Sequence, residues 1–575
     1  MEREESKGRA LHGRQESRFY LVLLLIAVIP LFSLGLSNHG VWTADEPRVA
    51  EIGREMALSG NWAVPTLNRE PFLEEPPLYY AAIGAVFRLF GAASDRIVRI
   101  PSALFAFGGV LALFFLGRRL FGPRTGFLSA FILATSGEYF RVAHWVIVDS
   151  ALTFFVILSL TFFVSAYLSE GRTRRLVSYI LCYVSCTLAF YSKGFVGVAI
   201  PGLAVVAFLI ADRNLKEVLR MRLWLGVVIF LAMTLPWFFA LWQQGGPEYL
   251  KIFLVHNHLE RFAGGSTGHA QPFYYYLTQF PGGFLPWSLL VVPALYRGFL
   301  SLRHTEGAHK RGVLLALCWF VTGFVFLSAA STKRVLYLMP ILAPISLFTA
   351  LYIEATLVRA DRKRWFETFF TLAFGIAVLV VSLAIVPLFF YASRKFGFGY
   401  SVGEALRVVL FALVAAVLAV MALARYGKNM ARFWTCSGGA VFALLLLGAV
   451  AVCPLLDPYK SFVPFCDAIR AALPAGSPLY GYQPDETLKG AVPFYTGQFL
   501  REIDTPAALV EVIQRERAVF VVIRDKRGKV EEELLATGKM SVLARFGMDS
   551  TRSLVLLKGV EGPPEGGRRA RATGP

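Results

Sequence analysis

Apolar stretches of about 20 residues, each long enough to cross a bilayer, alternate with short polar connections through most of this chain. Thirteen membrane helices are expected, over residues 19–37, 99–117, 125–141, 150–168, 177–192, 194–211, 223–242, 285–302, 312–330, 336–355, 367–391, 404–424 and 433–453. Alternate connections are basic, carrying in turn Arg118, Arg119 and Arg124; Arg172, Arg174 and Arg175; Arg213, Lys216, Arg220 and Arg222; Arg303, Lys310 and Arg311; Arg359, Arg362, Lys363 and Arg364; and Arg425, Lys428 and Arg432. Basic loops stay on the cytoplasmic side. Residues 1–18 are therefore a cytoplasmic tail, with Arg14 and Arg18 leading into a first span that has no convincing cleavage site behind it.

The other side differs in kind. It holds two long polar loops, 38–98 and 243–284, and everything after residue 453. Long connections in a compact membrane protein are usually functional. Within the first loop Leu78 to Gly91 is apolar but short, which predicts a helix lying at the interface. Residues 454–560 read as globular: helix from Phe462 to Leu473, strand Leu479 to Tyr482, helix Ala507 to Arg517, strand Ala518 to Ile523, a helix near Val530 and strands near Val542 and Leu554. That alternation predicts a small α/β domain on the periplasmic side. Residues 561–575, rich in Gly, Pro and Arg, are expected to be disordered. The fold class is an all-α polytopic membrane protein with this one appended domain.

Composition agrees. Of 575 residues, 56% are hydrophobic and 17% charged, against about 25% charged in soluble domains. A net charge of +19 would suggest a nucleic-acid partner, but the cations sit in short loops between spans, which excludes one. Six cysteines form no CxxC pair or metal spacing; most lie within spans, and Cys453 and Cys466 are the two placed to meet outside.

Candidate chemistry gathers on the non-basic side. Asp45-Glu46-Pro47-Arg48 opens the first loop; an acid followed by proline starts a helix, which Gly60 would end. Glu74-Glu75-Pro76-Pro77-Leu78-Tyr79-Tyr80 puts two carboxylates and a rigid turn beside the interfacial helix. Asp149 stands among apolar residues at the outer start of the fourth span, which marks either a functional acid or a helix cap. The second loop carries His256, His258 and His269 with Arg261, suited either to a divalent metal or to a polar groove. Lys333, Arg334 and Tyr337 precede the tenth span, where cations suit a phosphate. Lys193 reads as a cation snorkelling to the interface. Together these groups suit transfer from a phosphate-linked lipid: cations Arg48, Lys333 and Arg334 for the leaving phosphate, and Asp45 as general base or acceptor-orienting group.

In these motifs, with His256-Asn257, Arg261-Phe262, Pro286-Trp287, Tyr337-Leu338-Met339-Pro340 and Phe494-Tyr495-Thr496-Gly497, the chain resembles bacterial members of the protein O-mannosyltransferase superfamily, and most closely the lipid A aminoarabinose transferases. The resemblance covers residues 19 to 525. It implies a GT-C fold and an inverting transferase of the inner membrane, monomeric, facing the periplasm, with an undecaprenyl-phosphate-linked donor and lipid A or another envelope acceptor. It implies catalytic roles for Asp45, Asp149 and Glu46; donor-phosphate contacts from Arg48, Lys333, Arg334, Tyr337 and Arg261; and substrate contacts from Glu75, Tyr79, His256 and His269. Some members hold a divalent metal near the donor phosphate, for which Glu74 and His256 are the candidates in this chain. Two departures leave sugar and acceptor open: Glu75 stands where the family usually has Lys before Pro-Pro-Leu, and Val49 where an aromatic is common. The alternatives are a protein O-glycosyltransferase of the same superfamily and a transporter of lipid-linked sugar, though no internal repeat of the kind transporters use is visible.

Overall fold

A computed structural model describes residues 2–42, 45–260, 270–358, 365–397, 399–516, 518–548 and 551–559. Arg261, His269 and the 561–575 tail lie outside them. Among the described residues ten helices are long and apolar enough to span a membrane, or eleven if Tyr275–Gly283 and Trp287–His304, bent by 112°, count as one.

Two expected spans are helices too short for that measure. α9 (Val196–Ala211) has 16 residues. The 125–141 stretch is divided into α5 (Pro123–Ala134) and α6 (Gly137–Ala143). The break has a local cause: the hydroxyls of Thr135 and Ser136 donate back to the carbonyls of Phe131 (2.6 Å) and Leu133 (2.8 Å), competing with the helical ladder. The remaining spans used below are α1 (Glu2–Ser33), α4 (Ile100–Phe121), α7 (Asp149–Tyr167) and α8 (Arg172–Lys193). All six cysteines, Cys453 and Cys466 included, are free thiols.

The first long loop is structured throughout. α2 (Asp45–Ser59) begins at the acidic pair and ends at Gly60, whose φ of +72° suits a residue without a side chain. β1 (Thr66–Leu67) and β2 (Glu70–Pro71) form a hairpin across Asn68 and Arg69, both left-handed at φ 55° and 68°. Two positive φ angles define a turn that matches strand twist, and Asn tolerates them well. α3 (Leu78–Phe90) is the expected apolar helix, closed by left-handed Gly91.

The C-terminal region is a five-stranded sheet in the order β4-β3-β5-β7-β6. β3 (Leu479–Tyr482), buried at all four positions, runs parallel to β4 (Leu500–Ile503) and to β5 (Phe520–Lys526). β7 (Arg552–Gly559) pairs antiparallel with β5 and with β6 (Met540–Gly547). β4 and the helix Glu486–Thr496 had no strong periodic signature in the sequence.

This sheet is stitched to the first loop. Asn68 acts as one more residue of strand at the edge of β4: its side chain donates to the carbonyl of Leu500 (3.0 Å) and accepts from the Leu500 amide (2.9 Å). Asp457 accepts from the amide of Gly40 (2.8 Å) and the indole of Trp42 (2.7 Å), and the Val41 amide donates to the Tyr495 hydroxyl (2.8 Å). Helix Glu486–Thr496 lies so close on α2 that a Cβ at Gly490 would sit 2.5 Å from the Arg48 amide nitrogen.

Candidate active site

The first turn of α2 projects Asp45 and Arg48 from adjacent positions, three residues apart, so that their side chains meet at 3.1 Å. Arg334, from the segment before the Met339–Val358 helix, closes on the same carboxylate: its Nη1 lies 3.3 Å from Oδ1, and its Nη2 pairs with Oδ2. Asp45 is thus held between two guanidinium groups. Burial alone would raise its pKa, but the hydrogen bond and charge of Arg334, with the charges of Arg48 and Lys193, bring it below the ordinary carboxylate value.

Arg48 is a junction. It pairs with Glu486 of the C-terminal domain, lies 3.8 Å from Glu74 and stacks 5.3 Å from the Phe72 ring centroid. Its Nε is buried with no hydrogen-bond partner.

A second cluster is built around Lys193, the last residue of α8. Its ammonium donates to Asp149 at 2.6 Å, lies 3.9 Å from Glu75 and sits 4.5 Å from the centroid of the Tyr337 ring. Asp149 is 1% exposed, and its other oxygen has no hydrogen-bond partner. Glu75 accepts from Tyr80 at 3.1 Å, and burial pushes its carboxyl up. Sequence reasoning placed Lys193 at the interface as a snorkelling cation. The structure turns it inward instead, because a buried carboxylate on the next helix needs a counter-charge.

Other expected residues are elsewhere. Glu46 is 1% exposed and saturated: it binds Arg99 at 3.0 Å and accepts from the amides of Trp42 (2.7 Å) and Val146 (3.0 Å). Arg99, fully buried, also donates to the carbonyls of His39 (3.0 Å) and Gly40 (2.7 Å). This is a pillar under the site, missed in the sequence because Arg99 looks like any flanking cation. Tyr79, expected at the substrate, is fully buried; its hydroxyl meets Ser102 at 2.5 Å and accepts from the Ile147 amide at 3.0 Å, fixing the turn that delivers Asp149.

Lys333, expected at the phosphate, is 4% exposed and donates to the carbonyls of Gln271 (2.9 Å) and Ala330 (2.5 Å). There it clamps the end of the second loop, where Ala270 and Thr332 form a bridge. His256 is exposed and paired with Glu260 at 2.8 Å. Among the described residues no three His, Cys, Asp or Glu side chains are grouped to hold a metal ion. Glu74, beside a guanidinium, and His256, out on the surface, do not fit one.

Two acids on cations, Asp45 in the first loop and Asp149 at the end of a span, are equipped to orient one charged or hydroxylic group and to neutralise another. A family model described as dolichyl-phosphate-mannose-protein mannosyltransferase matches residues 74–240. An undecaprenyl phosphate-α-4-amino-4-deoxy-L-arabinose arabinosyl transferase of Proteus mirabilis is 31% identical over 402 residues, 68% of this chain and 68% of that one. A protein of the same description from Shewanella sediminis is 31% identical over 377 residues, 64% of this chain. The match spans 65% of that relative's length, a little under two thirds. The crystal structure of ArnT from Cupriavidus metallidurans bound to undecaprenyl phosphate superposes with a TM-score of 0.74 over 93% of this chain and 98% of that one, at 22% identity.

Proposed function

Since the chain belongs to the undecaprenyl phosphate-α-4-amino-4-deoxy-L-arabinose arabinosyl transferase family, we propose that it transfers 4-amino-4-deoxy-L-arabinose from undecaprenyl phosphate to lipid A on the periplasmic face of the inner membrane. The observation that carries this reading is the Asp45 carboxylate held between Arg48 and Arg334.

In this reading the acceptor oxygen attacks the anomeric carbon from the face opposite the leaving phosphate. The bond to undecaprenyl phosphate breaks, and its oxygen takes the electron pair. Arg48 and Arg334 offset the charge that develops there; a guanidinium has five donors, enough for Asp45 and a phosphate together. Asp45, ionised, orients the acceptor and takes its proton where the acceptor is protonated. Asp149 holds Lys193, and Lys193 holds Glu75 and the Tyr337 face. Glu75 stands where the family usually has Lys, and a carboxylate there repels a phosphate, so the contact it makes in this reading is with the Lys193 ammonium. Glu46 and Tyr79 are positioning residues, and Lys333 clamps the loop.

The test is transfer from undecaprenyl-phosphate-aminoarabinose to lipid A by the purified protein in lipid vesicles, followed by mass spectrometry. The wild type is expected to add the sugar, and Asp45→Asn to do so about 10²–10⁴-fold more slowly. Equal rates for the two would remove Asp45 from the chemistry. Transfer from the same donor to another envelope glycan or to a protein, with lipid A untouched, would move the acceptor.

A further inference from the structure

A large cavity lies at the other end of the spans. It holds about 1020 Å³ between α1, α5, the inner end of the Met339–Val358 helix and the start of the Met430–Leu447 helix. That is at the upper end of small-molecule sites, which run to about 1,000 Å³. Its mouth has Tyr20, Arg124 and Lys428, all from the basic-loop side. Its depth is apolar, with Ala27, Phe131 and Trp287 among the walls. None of these groups belongs to the Asp45 site.

We propose that this groove binds one anionic glycerophospholipid from the cytoplasmic leaflet, its phosphate between Arg124 and Lys428 and an acyl chain along α1. Charge complementarity supports the headgroup: both cations are exposed at the mouth, and the Arg124 Nε is steadied by the Tyr20 hydroxyl at 3.1 Å. Length supports the chain. The α1 residues on the wall run from Tyr20 to Pro30, about 15 Å of helix at 1.5 Å per residue, which is half of a hydrocarbon core about 30 Å thick. That is one leaflet, the reach of a fatty acyl chain.

Native mass spectrometry of the full-length protein, stripped of lipid in detergent and titrated with phosphatidylglycerol or phosphatidylcholine, tests this. One phosphatidylglycerol per chain should be retained in preference to phosphatidylcholine. Arg124→Gln with Lys428→Gln should weaken retention about tenfold or more, and Ala27→Phe, which fills the groove, should abolish it. Should Ala27→Phe fail to fold, the double variant at exposed positions decides alone. Equal retention of the two lipids, unchanged retention by the double variant, or displacement of phosphatidylglycerol by equimolar undecaprenyl phosphate would each overturn the proposal.

Discussion

A carboxylate between two guanidinium groups is a weak base but a dependable anion. Because Asp45 is held below the ordinary range, it is charged at any neutral pH, and its function is lost only as pH falls through that lowered pKa. The acidic limb of kcat/KM against pH should therefore lie below about 4, the unperturbed aspartate value. Arg334→Gln removes the main opposing interaction, so the limb should move to higher pH, in addition to a loss of about 10²–10³ in rate. An unmoved limb would mean that another group titrates there. Lys193 obeys the companion rule: Lys193→Met leaves Asp149 buried without its counter-charge and should cost about 3–5 kcal/mol. Adding Asp149→Leu should recover part of that loss in thermal melts, though not activity. Asp45, Arg48 and Asp149 were legible in the sequence because charge beside apolar stretches is costly and so stands out. Lys193 and Arg99 were not, because only the fold reveals which way a terminal cation turns.

Helices were the easiest elements to read. Every expected span contains helix, and α2 and α3 start and stop at the Pro and Gly signals that marked them. Length was less legible, since side-chain hydroxyls at Thr135 and Ser136 break a stretch whose hydropathy is continuous. The short strand β4 went unread because four residues, capped by another chain segment's Asn68, carry no alternation to detect. Contacts between elements were invisible altogether, and Gly490 shows why. Nothing in its neighbourhood announces that a second helix lies a few ångströms away. Gly490→Ala should force α2 and the Glu486–Thr496 helix apart, with a loss of about 1–3 kcal/mol and reduced transfer, because the pairing of Glu486 with Arg48 is disturbed. Melting temperature and transfer rate should fall together.

For the whole molecule, the first loop and the C-terminal sheet form one outer layer over the spans. Asn68→Gly keeps the left-handed turn but deletes the amide that finishes the edge of β4. It should cost about 1–3 kcal/mol and make the C-terminal domain easier to release by limited proteolysis, with the membrane helices unaffected. The pairing of Arg48 with Glu486 also sets an order of events. The partners are 438 residues apart, and a ribosome delivers them in that order. A nascent chain can insert its helices and fold α2, yet the site stays open until the sheet arrives and docks. A half-made copy, its helices already inserted, lacks the contact between Arg48 and Glu486 that completes the site.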